Sequence, residues 1–278
     1  FNSIEEYGLS IEIGFDAIKT KPDYRDAWII LGHSFLNERK WFDAQDSFTK
    51  AIALDSGSAS AYFFRGVGNR ALNQPSDATA DFEMALSEGW QPRVIAQLQL
   101  ADIYFSARDY ERAFTLYKQV VTTDSSNVNY FIRPIALAIN QINRPAEALA
   151  LGRKALSSHP EDAMAFNLLG WAYLATNDLT KAEEHLRKAV EKNNELDSAY
   201  LNLGRLGERQ SDLQKALSNY KKAVEFGQKA GNDSISQSAQ SRIDALEKNP
   251  ENMNTSSEQN FGTAPQSGQE TTPSLNLL

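Results

Sequence analysis

The sequence predicts an all-α chain, a solenoid of antiparallel helix pairs, and three observations predict it. Small residues recur as Ala44, Ala78, Ala113, Ala148, Ala182 and Ala216, at steps of 34 or 35 residues. A second series follows seven residues later, at Ala51, Ala85, Val120, Ala155, Ala189 and Ala223. A third small residue lies twelve before each first-series alanine: Gly32, Gly66, Ala101, Ala136, Gly170 and Gly204. A period of this size is the mark of a repeat architecture in which one supersecondary unit stacks on the next. Bulky residues flank the small ones at offsets of three and four, which places them together on one helical face.

Each unit therefore holds two amphipathic helices. The small residue in the first helix lets the second approach, and the large residues fill the space beside the crossing. Between the two alanine series stand Phe48, Phe82, Tyr117, Gly152, Leu186 and Tyr220, with only Gly152 breaking the pattern. Around the glycine series, Trp28, Tyr62, Ile132, Phe166 and Tyr200 precede by four, with Gln97 the exception. Phe35, Tyr104, Ile139 and Tyr173 follow by three, and Asn69 and Gly207 depart there. Turn signals separate the paired helices at 73–76, 143–145 and 176–178. Pro145 suits the first turn of a second helix, where its missing N–H costs nothing. Pro134 falls inside the fourth first-helix and should kink or delay it.

These signals divide the chain into four parts. Residues 1–22 read as the second helix of an earlier unit, with Ala17 at the second small position and the first helix missing. Residues 23–231 hold six units. Residues 232–248 form a capping helix with an apolar stripe of Ile235, Ala239, Ile243 and Leu246, introduced by Asn232, Asp233 and Ser234. Residues 249–278 are rich in Asn, Ser, Thr, Gln, Gly and Pro, with three acidic residues and no basic ones, the composition of a disordered tail.

The 278 residues carry a net charge of −8 and no cysteine. Disulfides, thiolate metal sites and cysteine nucleophiles are thereby excluded. The acidic balance argues against a nucleic-acid partner. No apolar run is long enough to insert into a membrane. Compartment is left open between cytoplasm and periplasm, as a soluble segment alone or attached to an upstream membrane anchor.

The pattern Trp28-Leu31-Gly32-Phe35…Ala44-Phe48-Ala51 resembles the tetratricopeptide repeat, and Phe166-Leu169-Gly170-Tyr173…Ala182-Leu186-Ala189 is similar to it as well. The resemblance covers about residues 23 to 230. It implies a right-handed superhelix whose first helices line a concave groove, and a protein or peptide as partner. On that register the groove residues are His33, Arg70, Asp102, Tyr130, Arg133, Asn167, Trp171, Asn202 and Arg205. Ile29, Phe63 and Leu98 fit core and groove equally. Some family members hold a chaperone's terminal carboxylate with a Lys–Asn–Asn–Lys–Arg set; no lysine pair stands in those places here, which argues against that ligand.

The function expected is a scaffold or adaptor that binds a peptide or helix in the groove. The alternative is a soluble accessory domain of a larger membrane-anchored or enzymatic protein. Neither catalysis nor a cofactor is expected. Gly66-Val67-Gly68-Asn69-Arg70-Ala71 imitates a dinucleotide fingerprint but sits inside a predicted helix, where Gly66 has a packing role. His33, His159 and His185 form no metal-ligand pair and read as surface or groove residues. Glu183 with Arg187 and Glu184 with Lys188 are spaced for surface ion pairs.

Overall fold

A computed structural model describes the chain from Asn2 to Lys248, with side chains from Gly8 onward; the tail expected at 249–278 lies outside the described residues. The described residues form fourteen α-helices and one 3-10 turn, without a strand. They fall into two compact units that divide between Thr123 and Asp124.

The first unit holds α1 (Asn2–Thr20), α2 (Arg25–Asn37), α3 (Trp41–Leu54), α4 (Ala59–Ala71), α5 (Pro75–Ser87), α6 (Arg93–Ser106) and α7 (Tyr110–Thr123). Helix α1 packs on α2, and α2/α3, α4/α5 and α6/α7 form antiparallel pairs. The second unit opens with the 3-10 turn Val128–Phe131 and continues as α8 (Ile132–Asn140), α9 (Pro145–Ser158), α10 (Ala163–Ala175), α11 (Leu179–Lys192), α12 (Asp197–Arg209), α13 (Leu213–Lys229) and α14 (Asp233–Lys248). Here α8/α9, α10/α11 and α12/α13 are the pairs, and α14 packs on α13. Pro134 stands in the first turn of α8, preceded by the 3-10 turn. The proline thus delays the helix rather than breaking it.

The repeat register is written into the core. Ala44, Ala78, Ala113, Ala148, Ala182 and Ala216 are fully buried, as are Ala51, Ala85, Val120, Ala155, Ala189 and Ala223. The glycines mark the helix crossings. A Cβ added at Gly32 would stand 2.6 Å from the Phe48 ring, and one at Gly204 2.4 Å from Tyr220. At Gly66 the neighbour is Phe82, at 3.0 Å, so the fingerprint-like glycine serves packing. Gly207 departs from the aromatic pattern because a Cβ there would lie 2.7 Å from the backbone nitrogen of Ala216. At Gly152 the same atom would come 3.0 Å from Cα of Leu169, so the missing large side chain admits α10 instead.

Gly170 provides a test of this register. Its added Cβ would sit 2.7 Å from Cγ of Leu186 and 3.2 Å from the Leu186 backbone nitrogen. Gly170→Leu is expected to overpack the α10/α11 crossing and cost about 1–3 kcal/mol. Urea denaturation of the full chain measures it, and an unchanged midpoint would contradict the crossing.

The turn inside each pair is also periodic. Arg39, Asn73, Arg108, Asn143, Asn177 and Ser211 all adopt positive φ, between 50° and 60°. Each lies seven residues after the small residue of its first helix. In five of them the next N–H reaches back across the turn: Lys40 to the Phe35 carbonyl, Gln74 to Asn69, Asp109 to Tyr104, Asp178 to Tyr173 and Asp212 to Gly207. That bond is the Schellman closure of a helix C-terminus. Asp178 and Asp212 then cap the helices they introduce, accepting from the backbone N–H of Lys181 and Lys215. One residue thus ends a helix and the next begins another, which keeps the pairs tight and antiparallel.

Candidate functional site

The second unit gathers four of the expected groove residues from two adjacent first helices, α10 and α12. Asn202 donates through Nδ2 to Asn167 Oδ1 at 2.8 Å, and Asn167 donates to Ser198 Oγ at 3.1 Å. Arg205 donates through Nη1 to Asn202 Oδ1 at 3.0 Å. Its guanidinium carbon stands 5.9 Å from the Trp171 ring centroid. Asn167 and Asn202 are buried, Trp171 is 7% exposed, and Arg205 is half-buried above them. The Trp171 indole N–H is buried and meets no acceptor among the described residues. Burial pushes Arg205 below the usual arginine value.

The ladder arises from the register. Asn167 precedes Gly170 by three residues and Asn202 precedes Gly204 by two, so their side chains share the strip between the two helices. Buried amides need partners, and these two supply each other's. Ser198 was not anticipated. Its hydroxyl, at the start of α12, meets an amide on α10 only through the packing of the two helices.

The remaining expected residues are placed differently. Tyr130 and Arg133 stand half-buried at the 3-10 turn and the start of α8. In the first unit, Arg70 donates to the side-chain oxygen of Gln99, and Asp102 accepts from the Tyr117 hydroxyl. His33 turns toward the interior. Its ring lies edge-on to Phe64 with centroids 3.8 Å apart, and 5.7 Å from Phe48. Desolvation pulls its pKa down to about 4. Two other histidines expected at the surface or groove are also occupied. His185 is stacked on Tyr173 at 5.4 Å, and His159 Nε2 lies 2.8 Å from the Ser125 carbonyl. The surface pairs Glu183–Arg187 and Glu184–Lys188 form as spaced.

A second polar arrangement, which the sequence reading did not single out, lies in the first unit. Arg65 holds Asp81 with two bonds, Nε at 3.0 Å and Nη2 at 2.7 Å. Asn69 donates to the same carboxylate at 2.8 Å, and Gln45 donates to Asn69 at 2.6 Å. The Asp81 side chain is 5% exposed, and burial raises its pKa despite the arginine. Arg65 stands where Leu31, Leu100, Leu169 and Leu203 stand in other pairs, and Asn69 where Phe35, Tyr104 and Tyr173 stand. Polar side chains thus replace the usual apolar wedge. Beside them opens a cavity of about 410 Å³ with Phe42, 70% exposed, on its rim.

Among the described residues no group of acidic or histidine side chains could hold a metal ion, and no helix is long and apolar enough to cross a membrane. The tetratricopeptide-repeat profile matches residues 69–128 and 141–198, and a second profile with the same description matches 197–226, together just over half of the chain. The chain belongs to the tetratricopeptide-repeat family. It is a helical scaffold of the kind built for protein–protein contact. The human mitochondrial import receptor subunit TOM70 is 24% identical over 218 residues, 72% of this chain and 34% of the receptor. The rat TOM70 matches to the same extent, so the chain spans about a third of the length of these relatives. Among solved structures, YrrB, described as a TPR protein with an unusual peptide-binding site, aligns with a TM-score of 0.55 at 21% identity. That alignment covers 68% of this chain and 96% of YrrB. The C-terminal part of a TPR repeat-containing protein from Cytophaga hutchinsonii reaches 0.64 at 14% identity, over 80% of this chain and 90% of that one. Both likenesses are of fold.

Proposed function

We propose that this tetratricopeptide-repeat chain is an interaction scaffold that takes a peptide or helix on the first-helix face of its second unit, around Asn167, Trp171, Asn202 and Arg205. The reading is carried by the ladder that links α10 to α12 and ends in a half-buried arginine over a tryptophan. Tryptophan and arginine are the residues that concentrate binding energy at protein interfaces. A segment lying across the two helices contacts both ends of the ladder at once. YrrB, with its own peptide-binding site, is a precedent for peptide binding on this fold.

Pull-downs with the wild type beside Trp171→Ala and Arg205→Ala test the reading. Each truncation is expected to weaken capture of a genuine partner by about 2 kcal/mol, roughly thirtyfold. Equal recovery of every captured protein by all three would place binding elsewhere on the chain.

A second reading has one observation in its favour: the chain spans about a third of the TOM70 relatives it matches. On that reading it is the repeat region of a longer protein, anchored in a membrane or joined to an enzyme. The full open reading frame decides between the two.

A further inference from the structure

Arg205 is a half-buried guanidinium without a direct ion-pair partner. No carboxylate lies within ion-pairing reach of it among the described residues; its contacts are the Asn202 side-chain oxygen and the face of Trp171. Arg65, by contrast, is balanced by Asp81. The nearby acid that could serve Arg205 is already engaged. Glu208 accepts from Arg242 Nε at 3.0 Å and from the Tyr220 hydroxyl. Removing a charge from water without a partner is costly, and such sites persist where something else pays for them.

Beneath this cation lies the ring of Trp171. Trp171 is more than nine-tenths buried and its indole N–H is unpartnered. Asn202 fixes one of the five guanidinium N–H groups, which orients the plane and leaves the rest for a ligand. A planar fork held in this way matches a carboxylate with two parallel bonds.

Resting on the function proposed above, we infer that Arg205 receives an Asp or Glu side chain of the bound partner segment, over a floor made by Trp171. A carboxylate supplies the missing ion-pair partner, while the Trp171 face supplies apolar contact beside it. The attraction is local rather than global, because the chain as a whole carries −8 and repels an acidic partner at long range. The specificity comes from the guanidinium charge, which a neutral amide leaves unbalanced.

A library of short random peptides, selected on the immobilised full chain, tests this. Enriched peptides are expected to carry Asp or Glu at one fixed position. Changing that residue to Gln or Asn, on wild-type protein, should weaken binding about tenfold or more. Selection on Arg205→Gln should still enrich peptides, without the acidic position. An acidic preference that is absent from the wild type, or that survives Arg205→Gln, overturns the inference while leaving peptide binding intact. Failure to enrich any peptide overturns peptide binding itself, and the inference with it. The chain's own Glu251, Glu258 and Glu270 are the internal competitor. If changing all three to Gln tightens acidic-peptide binding about tenfold, the site belongs to this chain's tail and the partner assignment fails. The expected result is no change.

Discussion

Arg65→Leu is expected to destabilise the first unit by about 3–5 kcal/mol, a severe loss for a substitution that restores the residue type usual at that position. The cause is Asp81. With Arg65 gone, a carboxylate 5% exposed keeps only its bond from Asn69 and loses its counter-charge. Burial already holds the Asp81 pKa above its ordinary value, so part of the loss is recovered by protonation at low pH. The expected deficit is therefore larger at pH 7 than at pH 5. Completing the exchange should reverse the effect. Arg65→Leu, Asn69→Tyr and Asp81→Leu together rebuild the wedge of the other pairs, using residues found at the same register in Leu31, Tyr104 and Leu116. A buried ion pair replaced by well-packed apolar groups is commonly neutral or stabilising by about 1–4 kcal/mol. Urea denaturation followed by tryptophan fluorescence suits the measurement, since Trp28, Trp41 and Trp90 all lie in this unit. A triple variant as unstable as the single one would mean that the polar cluster is not a substitute for the wedge.

What the sequence made legible follows from its periodicity. Gly32, Gly66, Gly170 and Gly204 were identifiable as crossings because spacing alone places them opposite Phe48, Phe82, Leu186 and Tyr220. Gly207 and Asn69 were visible as departures, yet their reasons were not. One relieves a backbone approach at Ala216, and the other belongs to a network that draws Gln45 and Asp81 from different helices. Three of the six left-handed turns carry no signal in the sequence, because Arg39, Arg108 and Ser211 have no turn signature. Only Asn73, Asn143 and Asn177 advertise that conformation in their side chains.

The candidate site was the least legible part. A helical register assigns a residue to a face but cannot say which neighbours take up its polar atoms. The register puts Asn167 and Asn202 on one face of their helices, but their mutual bond depends on the separation of α10 and α12. His33 lies on the same face of its helix as an ordinary groove residue. It turns inward because Phe64, on the next first-helix, and Phe48, on its own partner helix, bracket the ring.

That inward turn makes the first unit sensitive to acid. The His33 ring binds its proton near pH 6.5 in the unfolded chain and not until about pH 4 in the folded one, because the aromatic surround desolvates the charged form. Above pH 6.5 the ring is neutral in both states and stability is unaffected. Between 6.5 and 4 the unfolded chain takes up a proton that the folded chain refuses, so stability falls as the pH falls. Below about pH 4 the loss is complete, at about 3 kcal/mol for a gap of this size. Asp81 contributes in the opposite sense, since its raised pKa favours the folded state on acidification. The His33 component is isolated by comparison with His33→Phe, which keeps an aromatic ring between Phe48 and Phe64 and cannot titrate. The stability difference between wild type and variant should change by about 3 kcal/mol across pH 7 to 4. Parallel pH profiles for the two proteins would place His33 in contact with water and remove the desolvation on which this account rests.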